Sequence, residues 1–227
     1  MESVIKNEFI KLFKSIKAVI IIAILIATSY YSTKFIRANK GLIDGANLST
    51  LMTAGIQILI YIFGIAFVFV LSHNCINQEI QTQTIRFIVP KISRKKFILG
   101  KFMGISLFWY SCMSISFIII AVMSNQNLFK EYVTVNIFIT YMIALTLLLS
   151  TIISKTSLSN FVGIVLSIFL PIFGAWVTVD TNSKLSIVKY LLPYHYLVKE
   201  GVWLAMPILI SVAYITVAII IFDRKEL

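Results

Sequence analysis

Six runs of mostly apolar residues limit what this 227-residue chain can fold into. A helix needs roughly 20 such residues to cross the hydrocarbon core of a bilayer. Only 13% of the residues are charged, whereas soluble domains carry about 25%. We therefore predict an all-α, polytopic membrane protein with one transmembrane domain over residues 1–227. The predicted spans are about 16–35, 51–72, 102–123, 133–153, 158–179 and 203–222.

The distribution of Lys and Arg predicts which ends of the spans face the cytosol. With the N-terminus inside, the cytosolic segments hold thirteen Lys and Arg residues and the opposite segments hold seven. The sequence therefore predicts a multi-pass protein of the plasma membrane with cytoplasmic N- and C-termini. Because the basic residues flank apolar runs, the net charge of +11 indicates contact with membrane lipid and no nucleic-acid partner.

Two further segments have helical patterns outside the spans. Residues 1–17 place apolar side chains at helical spacing with lysines between them, which predicts an amphipathic helix in the headgroup layer. The alternative is a simple cytosolic extension of the first span. Residues 180–202 are apolar and aromatic but contain Lys189 and Pro193, and they predict a short interfacial or re-entrant helix. A plain loop is the alternative there.

The longest polar interruption, residues 72–101, separates the second and third spans. It holds six of the twenty Lys and Arg residues and a single acid, Glu79. Pro90 ends or kinks any helix before it, and Ser93 is a suitable N-cap for a helix that starts at Arg94. The pattern predicts a short helix over about 79–89, followed by a basic elbow that meets anionic lipid headgroups. The predicted lipid-anchoring residues are Arg94, Lys95, Lys96 and Lys101.

This interruption resembles the first cytosolic loop of ABC-2 type permeases, the membrane subunits of type V-like ABC exporters. The similar pattern is Glu79-x4-Thr84, then Arg86, Pro90, Ser93-Arg94 and Gly100-Lys101. The resemblance extends over nearly the whole chain, from the N-terminal helix to the charged tail. One position departs from it, because Gln83 stands where the family usually has Gly. We expect Gln83 to make the turn before Thr84 more regularly helical.

The resemblance implies a partner and a mode of contact. Two permeases, identical or different, would assemble with two cytosolic ATPase subunits. The short helix in the loop, about residues 79–87, would be the coupling helix. Glu79, Thr84, Arg86 and Phe87 would dock on the ATPase. The chain contains no G-x-x-x-x-G-K-[ST] motif, so ATP and Mg²⁺ would bind the partner and this chain would be neither an enzyme nor a cofactor-binding protein.

The spans carry few ionisable residues at their centres, which argues against an ion-coupled transporter. Gln57, Tyr61 and Tyr110 are candidates for lining a cargo path. An apolar, aromatic interior favours an amphipathic cargo, a peptide or a lipid-like molecule, and small permeases of the family often export antimicrobial or cytolytic peptides or protect against them. A drug or polysaccharide exporter stays open, as does a scaffold or sensor that recruits a cytosolic partner. Metal binding is not expected, because His73 and Cys75 are too few ligands for a site.

Overall fold

The computed structural model describes residues 1–39, 48–85, 92–179, 188–199 and 201–225. Within these ranges the chain is all-helical, as predicted, and contains no strand. The helices are α1 (Glu2–Phe13), α2 (Ile16–Ala38), α3 (Leu48–Ser72), α4 (Asn77–Gln81), α5 (Arg94–Ser124), α6 (Phe129–Ile152), α7 (Thr156–Val179), α8 (Tyr194–Lys199) and α9 (Ala205–Asp223).

Six of these helices, α2, α3, α5, α6, α7 and α9, are long and apolar enough to cross a membrane. The chain is therefore a multi-pass membrane protein. The third predicted span is part of the longer helix α5, which begins at Arg94 as the sequence predicts. Its 31 residues extend over about 46 Å, more than the roughly 30 Å of bilayer hydrocarbon. The first turns of α5 therefore extend beyond the hydrocarbon.

The most buried span, α6, lies at the centre of the bundle. It packs against α9, α3 and α5, and Tyr141 and Phe138 are among its fully buried side chains. Trp109 and Phe108 of α5 are also fully buried. The least buried span is α7, whose exposed residues are mainly large and apolar. This distribution suits a bundle whose outer helices face lipid, since lipid imposes no penalty on exposed apolar groups.

The N-terminal helix α1 is present as predicted, but it packs along the first turns of α5. Val4 meets Gly100, and four residues later Glu8 meets Gly104, so the two helices run in the same direction. A Cβ atom at Gly104 would lie 2.8 Å from the Cβ of Glu8 and 2.9 Å from the carbonyl oxygen of Ile5. Such a close approach requires glycine, and two glycines four residues apart provide it on one helix face.

The segment before the last span contains the predicted short helix, which is α8. Tyr194 at its start donates a hydrogen bond of 2.9 Å to the carbonyl oxygen of Tyr61 in α3. Burial raises the pKa of the Tyr194 hydroxyl, so the hydroxyl keeps its proton and stays a donor. The preceding residues 180–187 lie outside the described ranges.

Candidate partner-docking site

The loop after α3 contains a shorter helix than the sequence predicts. Instead of residues 79–87, the described helix α4 covers Asn77–Gln81. It ends because Gln83 has a φ of 57°, in the left-handed region that stops a helix. The expectation that Gln83 would make this turn more helical is therefore wrong. Gln83 adopts the backbone conformation that the usual glycine adopts at no steric cost.

Side-chain hydrogen bonds stabilise this turn. The hydroxyl of Thr82 donates to the carbonyl oxygen of Gln78 at 2.8 Å, and that of Thr84 donates to the carbonyl oxygen of Glu79 at 3.3 Å. Both acceptors belong to the last turn of α4, and the carbonyl oxygen of Gln78 also accepts the backbone N–H of Thr82 at 2.9 Å. Thr84, a predicted docking residue, is exposed in the structure and also holds the turn.

The start of α4 is attached to the end of α6 through Ser150. Its hydroxyl oxygen accepts hydrogen bonds from the backbone N–H groups of Ile76 and Asn77, at 3.2 and 3.3 Å. At the other end of α4, the hydroxyl of Thr156 in α7 donates to the side-chain oxygen of Gln81 at 2.9 Å. The loop is thus bound to two neighbouring spans as well as continuing directly from α3.

A buried ion-pair cluster attaches the same loop to α1 and α5. The Lys101 ammonium donates a 2.6 Å hydrogen bond to Glu8 Oε2 and a second one to Glu79 Oε1. The Lys101 side chain is only 4% exposed. Its predicted role as an exposed lipid anchor does not agree with this position. Lys101 lies on the face of α5 that packs against α1, and a buried ammonium requires carboxylate partners there.

The contacts of Arg94 also differ from those of the predicted lipid anchor. Its Nη1 donates to the carbonyl oxygens of Phe222, Asp223 and Lys225, at 3.2, 2.7 and 3.0 Å. These carbonyls lie at the end of α9, where a helix has unpaired acceptors and a negative dipole end. Arg94 therefore caps α9. The neighbouring Lys95 and Lys96 are exposed, so their predicted contact with headgroups stays a prediction.

The C-terminal segment is attached to α6 by Lys225. Its ammonium donates to the carbonyl oxygen of Thr151 and to the hydroxyl of Ser154, the latter at 3.0 Å. Partial burial lowers the pKa of Lys225. Arg94 and Lys225 thus connect the end of α9 to the start of α5 and to the end of α6. These helix ends lie at the same end of the bundle as α4. We call this the α4 end.

Among the described loop residues 73–85, no exposed residue carries a charge. The side chain of Glu79 faces Lys101, and the other charged docking residue, Arg86, lies outside the described residues together with Phe87. The exposed residues of the described loop are Gln78, Gln81, Thr82, Gln83 and Thr84. Of this Gln- and Thr-rich surface, only Thr84 is among the predicted docking residues, although the letters QEIQTQT contain all of it. Glu8 and Ser150, which position the loop, are not among the predicted site residues.

The three predicted cargo-path residues make separate contacts. In α3, the side-chain amide of Gln57 donates to the hydroxyl of Thr53 at 3.1 Å, and the Tyr61 ring packs 5.0 Å from the ring of Phe138. Tyr110 of α5 lies in a groove between α5 and α6, where its hydroxyl is 2.6 Å from that of Thr140. These contacts do not place the three residues around one common cavity.

The model of one protein family matches residues 15–225, which include all six spans and the loop with α4. The family is described as a protein of unknown function, DUF2705. The chain belongs to the DUF2705 family. No curated protein matches the chain. Within the DUF2705 match lie Glu79, Lys101 and Ser150, whereas Glu8 on α1 precedes it.

Proposed function

We propose that this DUF2705 protein is the permease subunit of an ATP-driven ABC exporter of the ABC-2 type. A separate ATPase subunit would dock on the exposed surface of α4 and the turn that follows it. The observation that carries the proposal is the attachment of this loop to the spans. It continues α3, and Lys101, Ser150 and Thr156 bind it to α5, α6 and α7. A movement of the loop would therefore reach four spans.

Energy transfer from a separate motor needs such an attachment. ATP binding and hydrolysis in the partner favour one arrangement of the loop over another, and the loop must transmit that preference to the membrane. The exposed Gln and Thr side chains would give directional, neutral hydrogen bonds to the partner, while the charged groups of Glu8, Glu79 and Lys101 act inside the permease. In this proposal, ATP and Mg²⁺ bind the ATPase.

The proposed assembly contains two ATPase subunits and two permeases, either two copies of this chain or one copy with a related chain. The N- and C-termini face the cytosol of the plasma membrane, in agreement with the excess of Lys and Arg at the α4 end. The proposed cargo is amphipathic, a peptide or a lipid-like molecule. This part of the proposal is supported by the apolar and aromatic composition of the spans.

The docking proposal is tested by purifying the tagged chain from its native membrane in mild detergent. We expect a P-loop ATPase, identified by mass spectrometry, and ATP hydrolysis to co-purify with it. Gln78 is exposed on α4, so Gln78→Arg would place a bulky charge in the contact and remove both signals. Gln126→Arg is the matched control, because Gln126 is also exposed and lies in the turn between α5 and α6.

The outcome separates the exporter from a scaffold. Co-purification of the ATPase that is lost in Gln78→Arg and kept in Gln126→Arg supports the permease. A partner without a P-loop that shows the same dependence on Gln78 would indicate a membrane scaffold or sensor. Retention of the ATPase by both variants would show that the α4 surface is not the docking site.

A further inference from the structure

A groove between α3 and α7 is open on the outer surface of the bundle. It has a volume of about 440 Å³, within the range for ligand pockets. Six apolar residues of its wall are 43–65% exposed, so a ligand can reach them from outside the bundle. These six are Ile62, Phe63 and Val70 of α3, and Ile164, Ile168 and Ile172 of α7.

The length of the groove matches one leaflet of a bilayer. Along α7 the groove extends from Asn160 to Ile172, which at about 1.5 Å per residue is about 18 Å. One leaflet contributes about half of the roughly 30 Å of bilayer hydrocarbon. Because α7 starts at Thr156, which is bonded to Gln81 of α4, the groove begins about one turn from the α4 end. It therefore fits a single acyl chain of the leaflet at that end.

The polar residues of the groove are distributed unevenly. The Ser167 hydroxyl donates a 2.6 Å hydrogen bond to the carbonyl oxygen of Gly163, so it needs no acceptor from a ligand. The Phe69 ring closes the floor, because a Cβ atom at Gly163 would lie only 2.4 Å from it. Asn160, the other polar lining residue, is exposed near the α4 end. The groove is thus apolar along its length and polar at one end.

Positive charge lies at the same end. Lys155 is exposed and directly precedes α7, where its carbonyl oxygen accepts the backbone N–H of Ser159. The Ser159 hydroxyl donates to the carbonyl oxygen of His73, just after α3, at 3.5 Å. Lys17, exposed in the first turn of α2, is close enough for its charge to act on the His73 ring. No Asp or Glu occurs in α3 or α7, so these helices offer no acid to offset the two lysines.

We propose that the groove binds an anionic phospholipid, with one acyl chain along α3 and α7 and the phosphate near Asn160, Lys155 and Lys17. An anionic headgroup supplies the counter-charge that these lysines lack on α3 and α7. The ammonium group of a zwitterionic lipid would find no acid on either helix and would approach two cations. The inference goes beyond the proposed docking of an ATPase and does not depend on it.

Charge also argues against a second copy of the chain in this groove. Two copies in one membrane have the same orientation, so a symmetric contact through this face would bring all four lysines to the same end. Like charges at that end would repel each other. A phospholipid has the opposite charge at the end where the groove needs it.

The test uses the purified full chain, without any ATPase, in nanodiscs of phosphatidylcholine. One probe is a phosphatidylglycerol with a photoreactive diazirine on its acyl chain, and the other is a phosphatidylcholine with the same chain. We expect the anionic probe to label peptides from α3 and α7 more strongly, by about fivefold for each lysine that contributes. Equal labelling by the two probes would overturn the proposal.

The double variant Lys17→Gln with Lys155→Gln should lose this preference. Its matched control is Lys95→Gln with Lys96→Gln, which removes the same charge from exposed positions at the start of α5 and should keep the preference. An unchanged preference in the first variant, or an equal loss in both, would show that the groove has no headgroup site of its own. If the first variant fails to fold, the comparison of the two probes on the unmodified chain still decides.

Two further variants test the groove itself. Ala66→Phe fills the groove and keeps every charge, so labelling of α3 and α7 by the anionic probe should fall, whereas Val122→Phe on the exposed face of α5 should not lower it. Ile168→Cys places a thiol in the wall, at a position that is 62% exposed. Oxidative linking of two copies through this thiol, undiminished by added phosphatidylglycerol, would show that a second copy occupies the groove and would reject the lipid.

Discussion

Lys101 donates a 2.6 Å hydrogen bond to Glu8, although the two residues are 93 positions apart in the sequence and lie on different helices. The same ammonium also binds Glu79, which precedes it in the polar loop. One side chain thereby joins α1, α4 and α5 at the end of the bundle where the loop is attached. In the permease that we propose, this junction would transmit movements of α4 to α1 and α5.

The first prediction concerns the stability of this junction. Lys101→Met leaves the buried carboxylate of Glu8 and the partly buried one of Glu79 without a counter-ion. Breaking a buried ion pair in this way costs about 3–5 kcal/mol. We expect a clear fall in the thermal midpoint of the purified protein, followed by fluorescence-detected gel filtration. The additional changes Glu8→Gln and Glu79→Gln remove the unpaired charges, so the triple variant should recover much of the midpoint.

Lys96→Met is the matched control, because Lys96 precedes the cluster on α5 and is exposed. Surface substitutions of this kind change the free energy of unfolding by only about 0.5 kcal/mol. A midpoint of Lys101→Met equal to that of Lys96→Met would contradict the buried ion pair.

The second prediction concerns the contact between α1 and α5. Gly104→Ala introduces a Cβ atom 2.8 Å from the Cβ of Glu8, and overpacking of this kind costs about 1–3 kcal/mol. We expect α1 to undock more often and trypsin to cleave at its lysines at least about fivefold faster. In Gly64→Ala, the nearest atom would be 3.3 Å away in the side chain of Ile60 on the same helix. Similar cleavage rates in the two variants would refute the close approach at Gly104.

The spans and the helix start at Arg94 could be predicted from the sequence because both depend on local patterns. Apolar length determines the spans, and the helix begins after Ser93 as expected, although the Ser93 side chain makes no capping hydrogen bond. The pair of glycines at 100 and 104 was also visible, but nothing local indicated that α1 would pack on it. Whether an individual lysine is buried or exposed could not be predicted, since the buried Lys101 belongs to the same basic run as the exposed Lys95 and Lys96.

The hydrogen bonds that attach the loop to the spans could not be predicted from the sequence either, because they also depend on contacts between distant residues. Ser150 is one of many hydroxyl residues in the spans, and only the folded structure brings it to the start of α4, 74 positions away from Ile76. The conformation of Gln83 could not be predicted for a different reason. The helix propensity of glutamine favoured a helix, whereas Gln83 adopts a left-handed backbone conformation. The hydrogen bonds of Thr82 and Thr84 stabilise that turn.

The third prediction distinguishes a helix cap from a lipid anchor at the start of α5. Arg94→Ala removes three hydrogen bonds to the end of α9, and we expect a loss of at least about 1.5 kcal/mol, because hydrogen bonds from charged groups contribute about 1.5–3 kcal/mol. Lys95→Ala is the control, since this neighbour is exposed. The measurement is the thermal midpoint in detergent micelles without anionic lipid. Equal midpoints there, with a difference that appears only when anionic lipid is added, would support the anchor and reject the cap.

The fourth prediction tests the orientation of the protein with a membrane-impermeant maleimide. The native Cys75 and Cys112 are 2% and 3% exposed, so the unmodified protein should label weakly and serve as the background. Gln126→Cys and Lys155→Cys place exposed thiols in turns at opposite ends of the bundle, and neither position belongs to the proposed docking surface. Because Lys and Arg are concentrated at the α4 end, we expect Gln126→Cys to react in intact cells. Lys155→Cys should react only after the membrane is permeabilised, and the reverse pattern would place α4 outside the cell, where no ATPase could reach it.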